Sequence, residues 1–236
     1  PAFASYNLNH LGISDVDRRN EKLQLVQQLI SSHKIVGIQE THAKSKLEAE
    51  MFFFQHVEAL KFYDPTYHLV ILVDRAWADA HALEHVSIVP GAIHGLRWTS
   101  PAGPCLFLNF YLNSSSDHNI KITQLRTARA WAETHVSEET VVFASGDRNH
   151  IRDTSERIHT EAAAETELPN VAVIGAWDDF CAALNHSAIV PLQSGDFTFM
   201  RRNGTDVVCS VLDVFTTNVD TTWEPLYVPV TERIPT

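Results

Sequence analysis

Ile35-Val36-Gly37-Ile38-Gln39-Glu40-Thr41 runs from apolar, β-like residues into three polar ones. On its N-terminal side lies a helical pattern, Asn20 to Ser32, whose Leu23, Val26, Leu29 and Ile30 share one face at the 3.6-residue period. Before that comes a second β-like run, Phe3 to Leu8. Strand, helix, strand is the opening of an α/β domain. Glu40 then stands directly after a strand, where open α/β sheets present ligand-binding groups.

The alternation continues outward. Leu47 to Leu60 predicts a second helix, followed by the apolar run Leu69 to Val73 and a weakly patterned stretch to Val89. Pro90, Gly91, Pro101, Gly103 and Pro104 punctuate the approach to a strand over Cys105 to Leu112. Asp117 to Val136 has Leu125, Ala128, Ala132 and Val136 near the helical period, and Thr140 to Ala144 predicts a strand ended by Gly146. A short helix over Glu161 to Glu167, a longer one over Val173 to Leu184, and strands at Phe197 to Met200, Val207 to Thr216 and Leu226 to Val230 complete the reading. There is no internal repeat or heptad array, so residues 1–236 read as a single domain.

Composition narrows the classes. A chain of 236 residues, 44% hydrophobic, can bury one full core. Its apolar runs fall far short of the ~18 residues that would span a bilayer, so no membrane association is expected. Cys105, Cys181 and Cys209 are odd in number and far apart, which predicts free buried thiols and an intracellular, reducing compartment. The chain opens Pro1-Ala2-Phe3, without initiator Met or secretory signal, and so reads as a processed product or an excerpt. With 29 acidic against 18 basic residues and a formal charge of −11, a broad basic grip on nucleic acid is not expected. That balance is compatible with a metal site, which needs local carboxylates.

Several polar groups sit at the ends of these strands, each with a plain alternative. Glu40 is either a ligand group or a solvated loop carboxylate. Asn7 and Asn9 either support a metal or phosphate or simply form a turn. Tyr111, in Asn109-Phe110-Tyr111, either donates to a phosphoryl oxygen or is an ordinary amphipathic sheet tyrosine. Gly146-Asp147-Arg148-Asn149 delivers an acid and an amide to the end of a buried strand, for water activation or for a turn. Asp213 interrupts an apolar run and either needs a cationic or imidazole partner or faces solvent.

Taken in order, Asn7/Asn9, Gln39-Glu40-Thr41, Asn109-x-Tyr111, Gly146-Asp147-x-Asn149, Phe197-Thr198-Phe199 and Ser210-x-Leu212-Asp213 resemble the successive signatures of the endonuclease/exonuclease/phosphatase superfamily. Within it the pattern most resembles the apurinic-endonuclease-like domains of non-LTR retrotransposons. The resemblance implies a four-layer α/β/β/α sandwich, two packed mixed β-sheets flanked by helices, and a Mg²⁺-dependent phosphodiester hydrolase, with Mn²⁺ as an alternative ion. It implies that Glu40 and Asn7 hold the metal and that Tyr111, Asp147, Asn149 and Asp213 are catalytic. Asp147 would activate water, Tyr111 and Asn149 would bind the phosphate, and Asp213 would orient a histidine. Asn9, Phe197 and Phe199 would contact the substrate. DNA, neighbouring domains of a larger polyprotein and a nuclear location follow from the same resemblance.

The family's last motif, a Ser-Asp-His about two dozen residues beyond the position of Asp213, has no counterpart before Thr236. The expectation is therefore a domain cut at both ends and impaired as a hydrolase. Ser116-Asp117-His118 opens a helical pattern instead, with Ser116 or Asp117 as its N-cap, and the remaining histidines read as surface or core residues. Arg148 stands where the family has an apolar or aromatic residue. The competing readings are a non-catalytic module that keeps the fold, and a phosphatase of the same superfamily.

Overall fold

The computed structural model describes residues 3–9, 16–54, 58–115, 117–151, 157–159, 168–185, 188–189, 199–203, 206–210 and 213–218. In chain order the first half forms β1 (Phe3–Asn7), α1 (Val16–Ser32), β2 (Ile35–Gln39), α2 (Lys46–Phe54), β3 (Ala59–Tyr63), β4 (Val70–Asp74), α3 (Arg75–Asp79), β5 (Glu84–Val89) and β6 (Ile93–Ser100). The second half forms β7 (Gly103–Tyr111), α4 (His118–His135), β8 (Val141–Asp147), β9 (Arg157–His159), α5 (Val171–Ala183), β10 (Ala188–Ile189), β11 (Phe199–Asn203), β12 (Asp206–Ser210) and β13 (Asp213–Thr217).

Side-chain alternation along the strands builds the layers. Val36 and Ile38 of β2, with Val70 and Leu72 of β4, face Leu23, Val26 and Ile30 of α1 and Phe52 and Phe53 of α2. Ile35, Ile71 and Val73, on the other face of the same strands, meet Leu96, Trp98 and Phe107 from the second sheet. That sheet turns Leu106, Leu108, Phe110, Val142 and Ala144 toward Leu125, Ala128 and Ala132 of α4 and Trp177 and Phe180 of α5. A period of 2 in each strand thus fills one face against helices and the other against a sheet. Two mixed sheets, ordered β1-β2-β4-β3 and β10-β13-β8-β7-β6-β5, pack between two helical layers as the expected α/β/β/α sandwich. A small third sheet, β11-β12-β9, lies beyond that expectation.

Register brings the polar strand ends together. Parallel pairing of β1 with β2 sets Asn7 beside Gln39. Parallel pairing of β7 with β8 sets Tyr111 beside Asp147, and antiparallel pairing of β13 with β8 sets Asp213 opposite Asp147.

Four element readings change. The helix expected to reach Leu60 ends at Phe54, because Ala59–Tyr63 pairs with β4 and alternates Leu60 and Phe62 inward with Ala59 and Tyr63 outward. The run Val207 to Thr216 splits into β12 and β13, which belong to different sheets. Gly146 does not end β8, which continues to Asp147 under pairing from both neighbours. Strand β6 had no clear signal because Gly95 and His94 occupy two of its buried positions. Asp117 caps α4 as expected, accepting from Asn119 N–H at 3.0 Å. Cys105 and Cys181 are buried and not in a disulfide. The expected helix at Glu161 to Glu167, the strand at Leu226 to Val230, and Phe197 lie outside the described residues. Among the described residues no helix is long and apolar enough to cross a membrane.

Candidate active site

The layer between the sheets changes character along its length. At one end it is aromatic, with Phe3 stacked 5.5 Å from Phe107 and 4.3 Å from Phe143. One strand pair further on, inward positions become Ser5, Gln39, Asn109 and His94. The Nε2 of Gln39 donates to Asn109 Oδ1 at 2.6 Å and to Ser5 Oγ at 3.0 Å. The Nδ2 of Asn109 donates to the carbonyls of Ile38 and Val70 and meets His94 Nε2 at 3.0 Å. Gly37 leaves room for this amide, since a Cβ there would lie 2.8 Å from Asn109 Oδ1. Burial, and then the neighbouring His85, push the proton affinity of His94 well below the ordinary histidine value, so its ring is neutral.

The next inward positions are Asn7, Tyr111 and Asp147, with Glu40 directly after β2. A single amide joins the two carboxylates: Asn7 Nδ2 donates to Glu40 Oε1 at 2.7 Å and to Asp147 Oδ2 at 3.2 Å. The Asn7 oxygen accepts from Asn9 N–H at 2.9 Å. Asp147 Oδ1 accepts from Asn149 N–H at 2.7 Å, and Asn149 Nδ2 donates to Leu112 O at 2.8 Å, which ties the β7 and β8 ends together. The Tyr111 phenol is pushed up to about 12, by burial first, with the Glu40 and Asp147 charges adding to it and hydrogen bonds to Ser114 and Asn149 opposing. It remains an O–H donor at neutral pH.

The loops that carry these groups are held in the left-handed region: Asn9, Glu40, His42 and Asn149 have φ of 45°, 53°, 51° and 48°. For Glu and His this conformation costs roughly 1 kcal/mol or more each, the kind of backbone strain that collects at functional sites. A hard oxygen donor such as the Glu40 carboxylate is the group a small divalent cation would use. Among the described residues no three His, Cys, Asp or Glu side chains form a metal-holding cluster, so an ion here would keep much of its water shell.

Comparison with known structures bears on this arrangement. The endonuclease domain of TRAS1, a telomere-specific non-LTR retrotransposon, superposes with a TM-score of 0.58 at 12% identity, over 92% of this chain and 84% of that one. An AP endonuclease from Archaeoglobus fulgidus gives 0.63 at 14% identity, over 92% and 86%. D. rerio TDP2, in complex with a single-strand DNA product, gives 0.61 at 14% identity, over 94% and 84%. The chain has the endonuclease/exonuclease/phosphatase fold. No protein-family model and no curated protein matches the sequence.

In this fold the sequence-derived site residues fall as follows. Asn7, Glu40, Tyr111, Asp147 and Asn149 converge, and Asn9 is exposed at the edge beside Asn7. The backbone of Asp213 opens β13 opposite Asp147, and that of Phe199 opens β11 in the third sheet. Three contributors escaped the sequence reading. His42 Nε2 lies 3.1 Å from Glu40 Oε2, so an imidazole expected on the surface or in the core borders the site. Lys22 of α1 reaches the carbonyls of Leu8 and Asn9 at 2.5 and 3.0 Å and pins the loop after β1. Asp64, far from any motif, accepts from backbone N–H groups of the β3–β4 loop and of the β5–β6 turn. A histidine two residues past a strand-end Glu is a signal that sequence could have supplied; the other two are contacts with backbone, which leave no pattern.

Proposed function

We propose that this chain is a Mg²⁺-dependent phosphodiester hydrolase, a DNA-nicking endonuclease domain of retrotransposon type. The observation that carries the reading is the single Asn7 amide bonded to both Glu40 and Asp147, with the neutral Tyr111 phenol facing the same two carboxylates. Two acids, a donor and an amide at one strand edge are what in-line attack on a phosphodiester needs. The TRAS1 domain and the AP endonuclease, both endonucleases, and the single-strand DNA product bound to TDP2 support DNA as the substrate.

Glu40 would hold Mg²⁺, with Asn7 fixing its carboxylate; Mn²⁺ suits the same oxygen donors. When bound, the ion supplies charge stabilisation at the phosphoryl oxygens. Asp147, its Oδ1 fixed by the Asn149 N–H, aligns the attacking water and takes its proton. Tyr111 O–H and Asn149 Nδ2 donate to the non-bridging oxygens as negative charge grows on them. Asp213, across from Asp147, orients an imidazole, and Asn9, Phe197 and Phe199 contact the nucleotides. With a formal charge of −11, the domain relies on neighbouring domains for most of its grip on DNA in the nucleus.

The same charge balance favours a second reading, a phosphatase that acts on a small ester. A panel of supercoiled plasmid, single-stranded RNA and a small aryl phosphate monoester, each with Mg²⁺, separates the two. Nicked circles from the plasmid are expected. Turnover of the small ester alone would favour the phosphatase, and no turnover of any substrate would favour a non-catalytic module that keeps the fold.

A further inference from the structure

Asp64 is buried to 1% exposure, and its carboxylate lies where the rims of the two sheets meet. On the first sheet, Oδ1 accepts from Leu69 N–H at 2.7 Å, and Oδ2 accepts from Thr66 N–H at 2.9 Å and from Thr66 Oγ1 at 2.7 Å. These bonds close the loop between β3 and β4, in which Tyr67 takes φ 64°. The outward carbonyls of that loop hold Thr41, the residue after Glu40: Thr41 N–H donates to His68 O at 3.1 Å and Thr41 Oγ1 donates to Tyr67 O. On the second sheet, Asp64 Oδ2 also accepts from Gly91 N–H at 2.9 Å, in the turn between β5 and β6. The next residue, Ala92, accepts from Tyr111 N–H at 2.8 Å.

We propose that Asp64 is a positioning residue: by stapling the β3–β4 loop to the β5–β6 turn, it sets the spacing between Glu40 on one sheet and Tyr111 on the other. The path runs through Glu40, Thr41, the loop carbonyls, Asp64, Gly91, Ala92 and Tyr111, with a hydrogen bond or a short stretch of chain at every step. This rests on the site reading above, in which Glu40 and Tyr111 act on the same phosphate. Only a carboxylate suits the position. All four of its partners donate, so both oxygens must accept; an asparagine would turn an NH₂ group against N–H donors in either orientation. The amide network of Gln39 and Asn109 ties the sheets at their middle and Asp64 ties them at the rim beside the site, where a misplacement of about 1 Å at a reacting centre can cost on the order of 10²-fold in rate.

The experiment uses the full chain with tyrosine labelled at the ring Cζ with ¹³C, the Tyr111 signal being assigned by loss in Tyr111→Phe. Asp64→Ala is expected to keep native circular dichroism yet move the Tyr111 ionisation midpoint down from about 12 toward the ordinary 10, as the end of β7, held by Ala92 of the freed turn, admits water. Mg²⁺ titration, followed on the Glu40 and Thr41 amides, is expected to weaken several-fold in the same variant. In plasmid nicking, kcat is expected to fall on the order of 10²-fold with KM for DNA little changed. Where Asp64→Ala does not fold, Thr66→Val removes one donor from the carboxylate and is expected to move the Tyr111 midpoint in the same direction by less. A merely structural clamp would lower the unfolding temperature and leave the Tyr111 and amide signals where they are. A folded variant of either kind with a wild-type Tyr111 midpoint overturns the proposal, whether or not the wild type cuts DNA. A shifted midpoint in a protein that cuts nothing supports the staple and counts against the nuclease reading alone.

Discussion

A methyl group at Gly146 would lie 1.9 Å from the carbonyl oxygen of Phe110, on a backbone at φ 149°. Gly146→Ala must therefore push β7 and β8 apart just before Asp147, and a loss of roughly 3 kcal/mol or more in urea unfolding is expected. Unchanged stability would mean the strands meet differently. Tyr111 makes a second residue-level prediction. Its folded-state proton affinity is raised from 10 to about 12, so the stability it lends is complete below pH 10 and is lost as pH climbs through about 12. Unfolding midpoints followed across that window should fall in the wild type and fall less in Tyr111→Phe, with half-buried Tyr63, also raised, accounting for part of what remains. Glu40, Tyr111 and Asp147 were legible because each is a polar residue closing an apolar run. His42 was overlooked although it stands two residues past that strand-end Glu, and Asp64 was not legible, since its partners include backbone N–H groups from two hairpins.

Among the elements, α4 shows how far local chemistry reaches. Asp117 accepts from the first-turn N–H of Asn119, and Asp117→Ala should cost about 1 kcal/mol by thermal or urea unfolding without altering the site, which a matched Mg²⁺ titration would check. Helices α1, α4 and α5 were legible from their apolar faces, whereas β3 and β6 were not. In β3 the pattern Ala59 to Tyr63 is short enough to continue a helix, and only pairing with β4 makes it a strand. In β6 a buried neutral histidine and a glycine stand where apolar side chains would have marked the strand; a Cβ on Gly95 would lie 2.6 Å from Phe107 O. His94 also gives this element a pH dependence. Its folded-state proton affinity is depressed, so its contribution is present above the ordinary value of 6.5 and is lost as pH falls below it, when the unfolded chain binds the proton first. Ring resonances of His94 should show no titration through pH 6.5 in the folded protein; a normal titration would place it near water.

At the scale of the whole molecule, the layer between the sheets grades from Phe3, Phe107 and Phe143, through Gln39 and Asn109, to Glu40 and Asp147. The aromatic end supplies adhesion, the amide network fixes the register of the sheets, and the open end presents charge. Phe107→Ala should cost about 3–5 kcal/mol, since its fully buried ring sits where both sheets meet. This gradient follows from strands that each begin apolar and end polar, and it is why the site lies where the carboxyl ends of β1, β2, β7 and β8 converge. The most direct test of the central claim is nicking of supercoiled plasmid by the wild type and by Glu40→Ala, with Mg²⁺ and with chelator. The expected result is Mg²⁺-dependent nicking that falls on the order of 10²-fold or more in Glu40→Ala. Nicking that persists at the wild-type rate in Glu40→Ala, or that never depends on Mg²⁺, would contradict it.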